Sequence, residues 1–410
     1  MRKVLIIEVL GTAGEDLLDA AQELGVEAIV ATHEDVYEDY SPEVKAKISE
    51  VVFTDFSDQD KAVEQLTEYA REAGVNGVVA CWEFLSPVVT RLAAALGLPG
   101  HRVDLADACR NKRLMAEVFG EAGVPAPRTL TAHSLAEAEA TIRDSGLEYP
   151  VVVKPAENAG SVGVSVVHSA AELQEAFESA GAWPVEFPHG IPLDTTVLIQ
   201  EYLGGKEFSV ESAVHRGTIH HLAVTEKFTT DDAARAETGH TVPAALAPAA
   251  REAVLDTVEK ALKALGFTDG IAHLELKLLP EGVAKVIEVG ARPPGDHIMK
   301  LVRHALGVSE PRAYLQIALG DTPDLTPTHD GAAAIRFFTP PRAGIFKGLH
   351  GLPEDPAVIE TVLYREPGDE LKDARDNLAR VGQVILRADS AEEVNRLADA
   401  LLTAVTVEVE

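Results

Sequence analysis

The sequence predicts three units: a parallel α/β half-domain over residues 1–103, a central α+β domain over 104–325, and a mostly β, α+β unit over 326–410. Three observations predict this. The chain has 410 residues, too many for one small core. Strands and helices alternate up to about residue 103 and then give way to pairs of alternating strands. Gly123-Val-Pro-Ala-Pro127 is stiff punctuation that suits a junction inside the second unit.

Bulk properties exclude several classes. Hydrophobic residues make up 46%, enough to bury a sizeable core. The formal net charge of −30 argues against a nucleic-acid or anionic-membrane partner, since both need clustered Lys and Arg. Any phosphate site must then be built from a few placed cations. Cys81 and Cys109 have neither metal spacing nor disulfide density, so both read as packed apolar residues in a reducing cytoplasm. Glu8 interrupts the first apolar run too early for a signal peptide, and no stretch is long enough to span a membrane.

In the first unit, strands are expected at Val4–Val9, Glu27–Ala31 and Gly77–Cys81, with helices at Gly14–Leu24 and Lys61–Ala73. Gly11 and Gly14 do not complete a dinucleotide fingerprint, so this unit reads as scaffold. Residues 104–120 read as one helix whose apolar stripe contains Lys112. A lysine there must snorkel out or meet an anion. Helix Leu135–Ser145, strands Pro150–Lys154 and Gly163–Val167, and an aperiodic surface loop over 181–195 follow. Beyond them come strand Val197–Leu203, a hairpin around Arg216-Gly217, an irregular stretch Thr229–Pro248, and the amphipathic helix Ala249–Leu265. The last unit carries a helix near Ala391–Leu402.

The most informative stretch runs from Gly270 to Asp296. Two alternating strands flank Pro280-Glu281-Gly282, in which Glu281-Gly282 makes a two-residue loop, a favoured hairpin length. Pairing back from that turn sets Glu275 opposite Glu288, with Leu274, Leu276, Leu278, Ile287 and Val289 on the core face. Like charges directly across a sheet repel. Either this face is solvated, or something lies between the carboxylates, for which a divalent cation is the natural choice. Arg292 keeps the same face by parity and suits a developing oxyanion.

Lys154 ends an apolar strand and is followed by small residues through Gly160, Ser161 and Gly163. That is either a plain turn or a loop whose amides close on phosphate. Glu201-Tyr202-Leu203 leads into Gly204-Gly205-Lys206-Glu207, either an ordinary strand and turn or a linker offering its backbone to a purine and Glu207 to a ribose.

Taken in order, these motifs resemble the ATP-grasp superfamily over nearly the whole chain. Arg110-Asn-Lys112 resembles its first phosphate lysine, and Tyr149-Pro-Val-Val-Val-Lys154 with its loop resembles the second lysine and lid, here about 127–203. Glu201-Tyr-Leu203 and Glu207 resemble the adenine hinge and ribose acid. His273-Leu-Glu275 and Glu288-Val-Gly-Ala-Arg292 resemble the paired magnesium glutamates and arginine. One departure is Gly290, where many members carry an asparagine that also ligates metal. The dipeptide-forming L-amino acid ligases tolerate a small residue there. Thr225-Glu-Lys227 and Glu237-Thr-Gly-His240 also look like the substrate segment of those ligases.

The resemblance implies a carboxylate–amine ligase working through an acyl phosphate, with ATP and two magnesium ions, manganese being able to substitute. Lys112, Lys154 and Lys227 would meet phosphate, and Glu275 and Glu288 would hold metal. Arg292, Glu237 and His240 would serve acyl transfer, with Asp296 facing the acid's side chain. Amino acids are the expected substrates and a homodimer the default assembly. The rival readings are a carboxylase acting through carboxyphosphate and a non-catalytic nucleotide-binding protein.

Overall fold

The structure is a computed structural model and describes residues 1–230, 236–372 and 377–410. The first unit is a four-stranded parallel sheet in the order Glu50–Phe53, Glu27–Thr32, Lys3–Ile7, Gly77–Ala80. Val4-Leu-Ile-Ile7 is buried on both faces, because helices cover both sides of a parallel sheet. The first strand ends at Glu8, a fully buried carboxylate in the left-handed region at φ 65°.

The segment expected to form the lid is a four-stranded antiparallel sheet in the order Thr129–Ala132, Val197–Glu201, Val151–Pro155, Ser165–Val167. Helices Leu135–Ser145 and Leu173–Ala180 pack on it around Ile142, Val151, Val153 and Ile199.

The largest element is an eight-stranded sheet. Its order is Ala284–Gly290, Gly270–Leu278, Lys206–His215, Thr218–Thr229, Glu237–Val242, Ala332–Phe338, Gly382–Ala388, Val358–Leu363. It crosses position 325 without a break, since Glu237–Val242 pairs directly with Ala332–Phe338. Helix Pro248–Ala264 covers one face at the Gly270–Gly290 hairpin, as its apolar stripe requires.

Four local expectations are corrected. Residues 104–120 are not one helix: short 3₁₀ turns at Val103–Leu105 and Asp107–Cys109 precede a helix over Lys112–Ala122. Asn111 starts that helix by accepting from the amides of Arg113 and Leu114, so Lys112 stands at its first turn. The 181–195 segment is not simply a surface loop, because Glu186, His189 and Ile191 are buried against the first unit. His189 Nε2 lies 2.6 Å from Glu8 Oε2, its Nδ1 lies 3.2 Å from Glu186 Oε1, and Trp82 Nε1 donates to Glu186 at 2.9 Å. Within Thr229–Pro248, Glu237–Val242 is a strand; residues 231–235 of that stretch lie outside the described residues.

The fourth correction concerns the hairpin. Glu275 does face Glu288, but a β-bulge between Glu275 and Leu276 pairs Leu276 with Val286 and leaves Ile287 as the extra residue. Val286 and Val289 therefore fill the core, while Ile287 turns to the cavity side with Glu288.

Candidate active site

A cavity of about 340 Å³ lies between the lid sheet, the start of helix Lys112–Ala122 and the eight-stranded sheet. Every site residue singled out from the sequence lines it except Gly163. Gly163 has φ +74° and packs on helix Leu173–Ala180, where a Cβ would stand 3.1 Å from the Ser179 carbonyl oxygen. Its role is to let the loop turn.

Four lysines, Lys112, Lys154, Lys227 and Lys277, and Arg292 line this space. Lys154 projects from the lid strand, 4% exposed, without a hydrogen bond to any described residue. Burial pulls its pKa down to about 8, against the attraction of Glu288. Beside it, Gly160 and Ser161 both hold positive φ in a tight turn that the Val162 amide closes by donating to the Ala159 carbonyl at 3.3 Å. Lys112 Nζ reaches Glu288 Oε1 at 2.7 Å and donates to the Asn158 carbonyl at 2.7 Å. The lysine meets an anion rather than snorkelling. Lys227 bridges Glu237 at 2.6 Å and Glu275. Burial opposes its charge, but Glu237, Glu275 and Glu207 hold it well above the usual lysine range.

Glu275 and Glu288 stand on adjacent strands with side chains 25% and 23% exposed toward the cavity. Two hard oxygen donors with cavity access fit a magnesium-like cation. Behind Glu275, His273 Nε2 lies 3.2 Å from Oε1 and its Nδ1 lies 2.8 Å from Glu211 Oε2. Burial would lower the His273 pKa, yet Glu211 and Glu275 raise it to about 9. Glu275 itself is held well below the carboxylate range, because Lys227 and His273 outweigh its burial.

Arg292 donates through Nε to Glu83, which comes from the first unit, and through Nη1 to the Pro293 carbonyl at 2.9 Å. Burial disfavours the guanidinium, but Glu83 keeps its pKa above the ordinary value. The same contact accounts for Gly290: a Cβ there would lie 3.1 Å from Glu83 Oε2 and 3.4 Å from Arg292 Cγ. An asparagine does not fit unless that pair moves.

At the far end, Glu237, His240 and Asp296 cluster. His240 is fully buried, with Nε2 3.2 Å from Asp296 Oδ2 and Nδ1 unpartnered among the described residues. Asp296 lines the cavity, and Arg380 and His240 meet its two oxygens. This triad has the spacing of metal ligands, and its carboxylates are ion-paired with Lys227 and Arg380, as Glu275 and Glu288 are with Lys227 and Lys112. On the opposite wall Lys285 holds the Glu201 carboxylate at 2.9 and 3.0 Å, leaving the hinge its backbone, and burial raises the Glu207 pKa. Sequence reasoning missed Glu83, Glu211, Asn377 and Arg380. None sits in a motif, and each reaches the site from an element distant in sequence.

Family models match three successive segments. They are an ATP-grasp N-terminal domain over residues 18–100, an ATP-grasp domain over 147–300 and the L-amino acid ligase C-terminal domain 2 over 336–410. The chain belongs to the ATP-grasp superfamily. Within it the chain resembles the L-amino acid ligase branch. The crystal structure of L-amino acid ligase from Bacillus licheniformis superposes with a TM-score of 0.82 over 100% of this chain and 99% of that one, at 24% identity, which shows the common fold. An uncharacterized protein, y4rH, of Sinorhizobium fredii is 26% identical over 401 residues, 97% of this chain and 81% of that protein. Alanine–anticapsin ligase of Bacillus subtilis is 24% identical over 273 residues, 63% of this chain and 57% of that enzyme. No helix among the described residues is long and apolar enough to cross a membrane.

Proposed function

We propose that this protein joins a carboxylate to an amine at the expense of ATP, through an acyl phosphate, with amino acids as substrates. One observation carries the reading. A single cavity brings together Lys112, Lys154, Lys227, Lys277 and Arg292 and an opposed carboxylate pair, with Glu237 and Asp296 beside them, tied in through Lys227 and Arg380. That is the charge pattern for a polyphosphate at one end and an ammonium group at the other.

In this reading the purine lies along the backbone of Glu201–Leu203, the ribose meets Glu207, and Lys112 and Lys154 neutralise phosphates under the 160–161 turn. The lid spans about residues 127–203 and excludes water from the activated acyl group. Magnesium, held by Glu275 and Glu288, would supply charge neutralisation between phosphates. The acid's carboxylate attacks the γ-phosphorus, and ADP leaves. The amine nitrogen then attacks the acyl carbon, Arg292 stabilises the oxyanion, and phosphate leaves. Glu237 attracts the ammonium, and His240 accepts its proton within the Asp296 cluster. The acidic end favours an ammonium nucleophile over the bicarbonate that carboxyphosphate chemistry needs.

The test is ADP release with a panel of amino acids, singly and in pairs, with and without bicarbonate, and with hydroxylamine as acyl trap. Amino-acid-dependent ADP release with hydroxamate formation is expected. Release that needs bicarbonate and ignores amino acids would overturn the reading.

A further inference from the structure

The acidic end of the cavity is held from behind by a residue that touches neither nucleotide nor substrate in the scheme above. Arg380 follows the 3₁₀ turn Asn377–Ala379, and its guanidinium is buried. Nη1 donates to Asp296 Oδ1 at 2.7 Å and Nη2 to Asp296 Oδ2 at 2.8 Å, a two-pronged match. Nη2 also donates to the Glu237 carbonyl at 3.2 Å, and Cζ lies 3.5 Å from the centre of the Phe337 ring. Oδ2 of Asp296 is the same oxygen that faces His240 Nε2.

Two further observations give this contact a purpose. Asp296 and His297 are consecutive non-glycine residues at φ 53° and 59°. Such residues are strained, and the turn persists only if its surroundings dictate it. The Arg380 fork is such a constraint. Second, the same C-terminal turn holds Glu237: Asn377 Nδ2 donates to Glu237 Oε2 at 2.9 Å, and the Glu237 amide donates to Asn377 Oδ1 at 3.0 Å. Among the described residues lining the cavity, only Asn377 lies beyond position 325, and Lys112, Lys154 and Glu288 at the phosphate end have no partner from there.

We propose that Arg380 is a positioning residue for acyl transfer: it fixes Asp296, and through Asp296 the His240 ring, so that the C-terminal unit controls the amine half-reaction and leaves phosphoryl transfer alone. The inference rests on the ligase reading. Lysine cannot replace this arginine, because a point charge makes neither the fork nor the stack on Phe337.

The experiment compares wild type with Arg380→Lys and Arg380→Gln. It reads amide formation, hydroxamate formation from acid, MgATP and hydroxylamine, and the ¹⁵N spectrum of labelled histidine with the His240 signal assigned through His240→Gln. Amide formation should fall about a hundredfold, as expected for a misplaced reacting group. Hydroxamate formation should stay within about twofold, and the His240 signal should move. Added guanidinium ion should partly restore Arg380→Gln. Equal loss of amide and hydroxamate, or an unchanged ratio, would overturn the inference. If wild type forms no hydroxamate with any acid, the ligase reading fails, and the spectrum alone then decides the positioning claim: an unmoved His240 signal in either variant overturns it.

Discussion

Replacing Lys154 with methionine should make the ligand-free protein more stable and, in the same stroke, blind to nucleotide. Lys154 is 4% exposed, and burial lowers its pKa from 10.5 to about 8 despite the nearby Glu288, Glu275 and Glu207. A drop of that size corresponds to about 3 kcal/mol of destabilisation. The sign follows from linkage. Below pH 8 the group is charged in both folded and unfolded states, and the fold bears the full penalty. Between about 8 and 10.5 the folded lysine has lost its proton and the unfolded one has not yet done so. The penalty therefore fades as pH rises through that window. Methionine keeps the stem's volume and removes the charge. Thermal unfolding at pH 7 should show the variant more stable by about 3 kcal/mol, a rise of several degrees. That advantage should vanish by about pH 10.5. MgATP at a hundred times its Kd should add about 2.7 kcal/mol to wild type and close to nothing to the variant. A variant that is no more stable without ligand, or that keeps the MgATP shift, would refute this account of Lys154.

Three other outcomes are expected. Glu288→Gln should lower ADP release by at least about a hundredfold with an unchanged circular-dichroism spectrum, because a neutral amide is a poor partner for both Lys112 and a divalent cation; normal release from the folded variant would remove the metal assignment. His240→Ala should lose about two to four orders of magnitude in amide formation while still giving hydroxamate from the acid alone, and a parallel fall in both would move His240 to the phosphate side. His189 tests the buried tie between lid and first unit. Burial opposes its charge, but Glu186 and Glu8 raise its pKa to about 9, so its contribution is full below pH 6.5 and is lost as pH rises through 9. Wild type should lose about 3 kcal/mol across that window relative to His189→Gln; parallel pH profiles for the two proteins would show that the tie carries no charge.

The sequence by itself determined what depends on local periodicity and spacing. Period-two alternation on both sides of a short turn set Glu275 opposite Glu288, and the apolar run read as a strand over Val4–Val9 forms the parallel strand Lys3–Ile7. The ordered motifs also singled out Lys112 and Lys154, which line one cavity. Tertiary structure decided the rest. A single extra residue in the bulge moved Ile287 from the core to the cavity, because side-chain parity reverses with every inserted residue. Asn111 satisfied two orphan amides and began a helix where the apolar stripe had run on, so Lys112 entered the site from a helix start. Glu83 meets Arg292 across 209 positions and Arg380 meets Asp296 across 84. No local pattern encodes such pairs. A buried charge needs a partner of opposite sign and leaves open which distant residue supplies it, until packing of the three units brings one within reach.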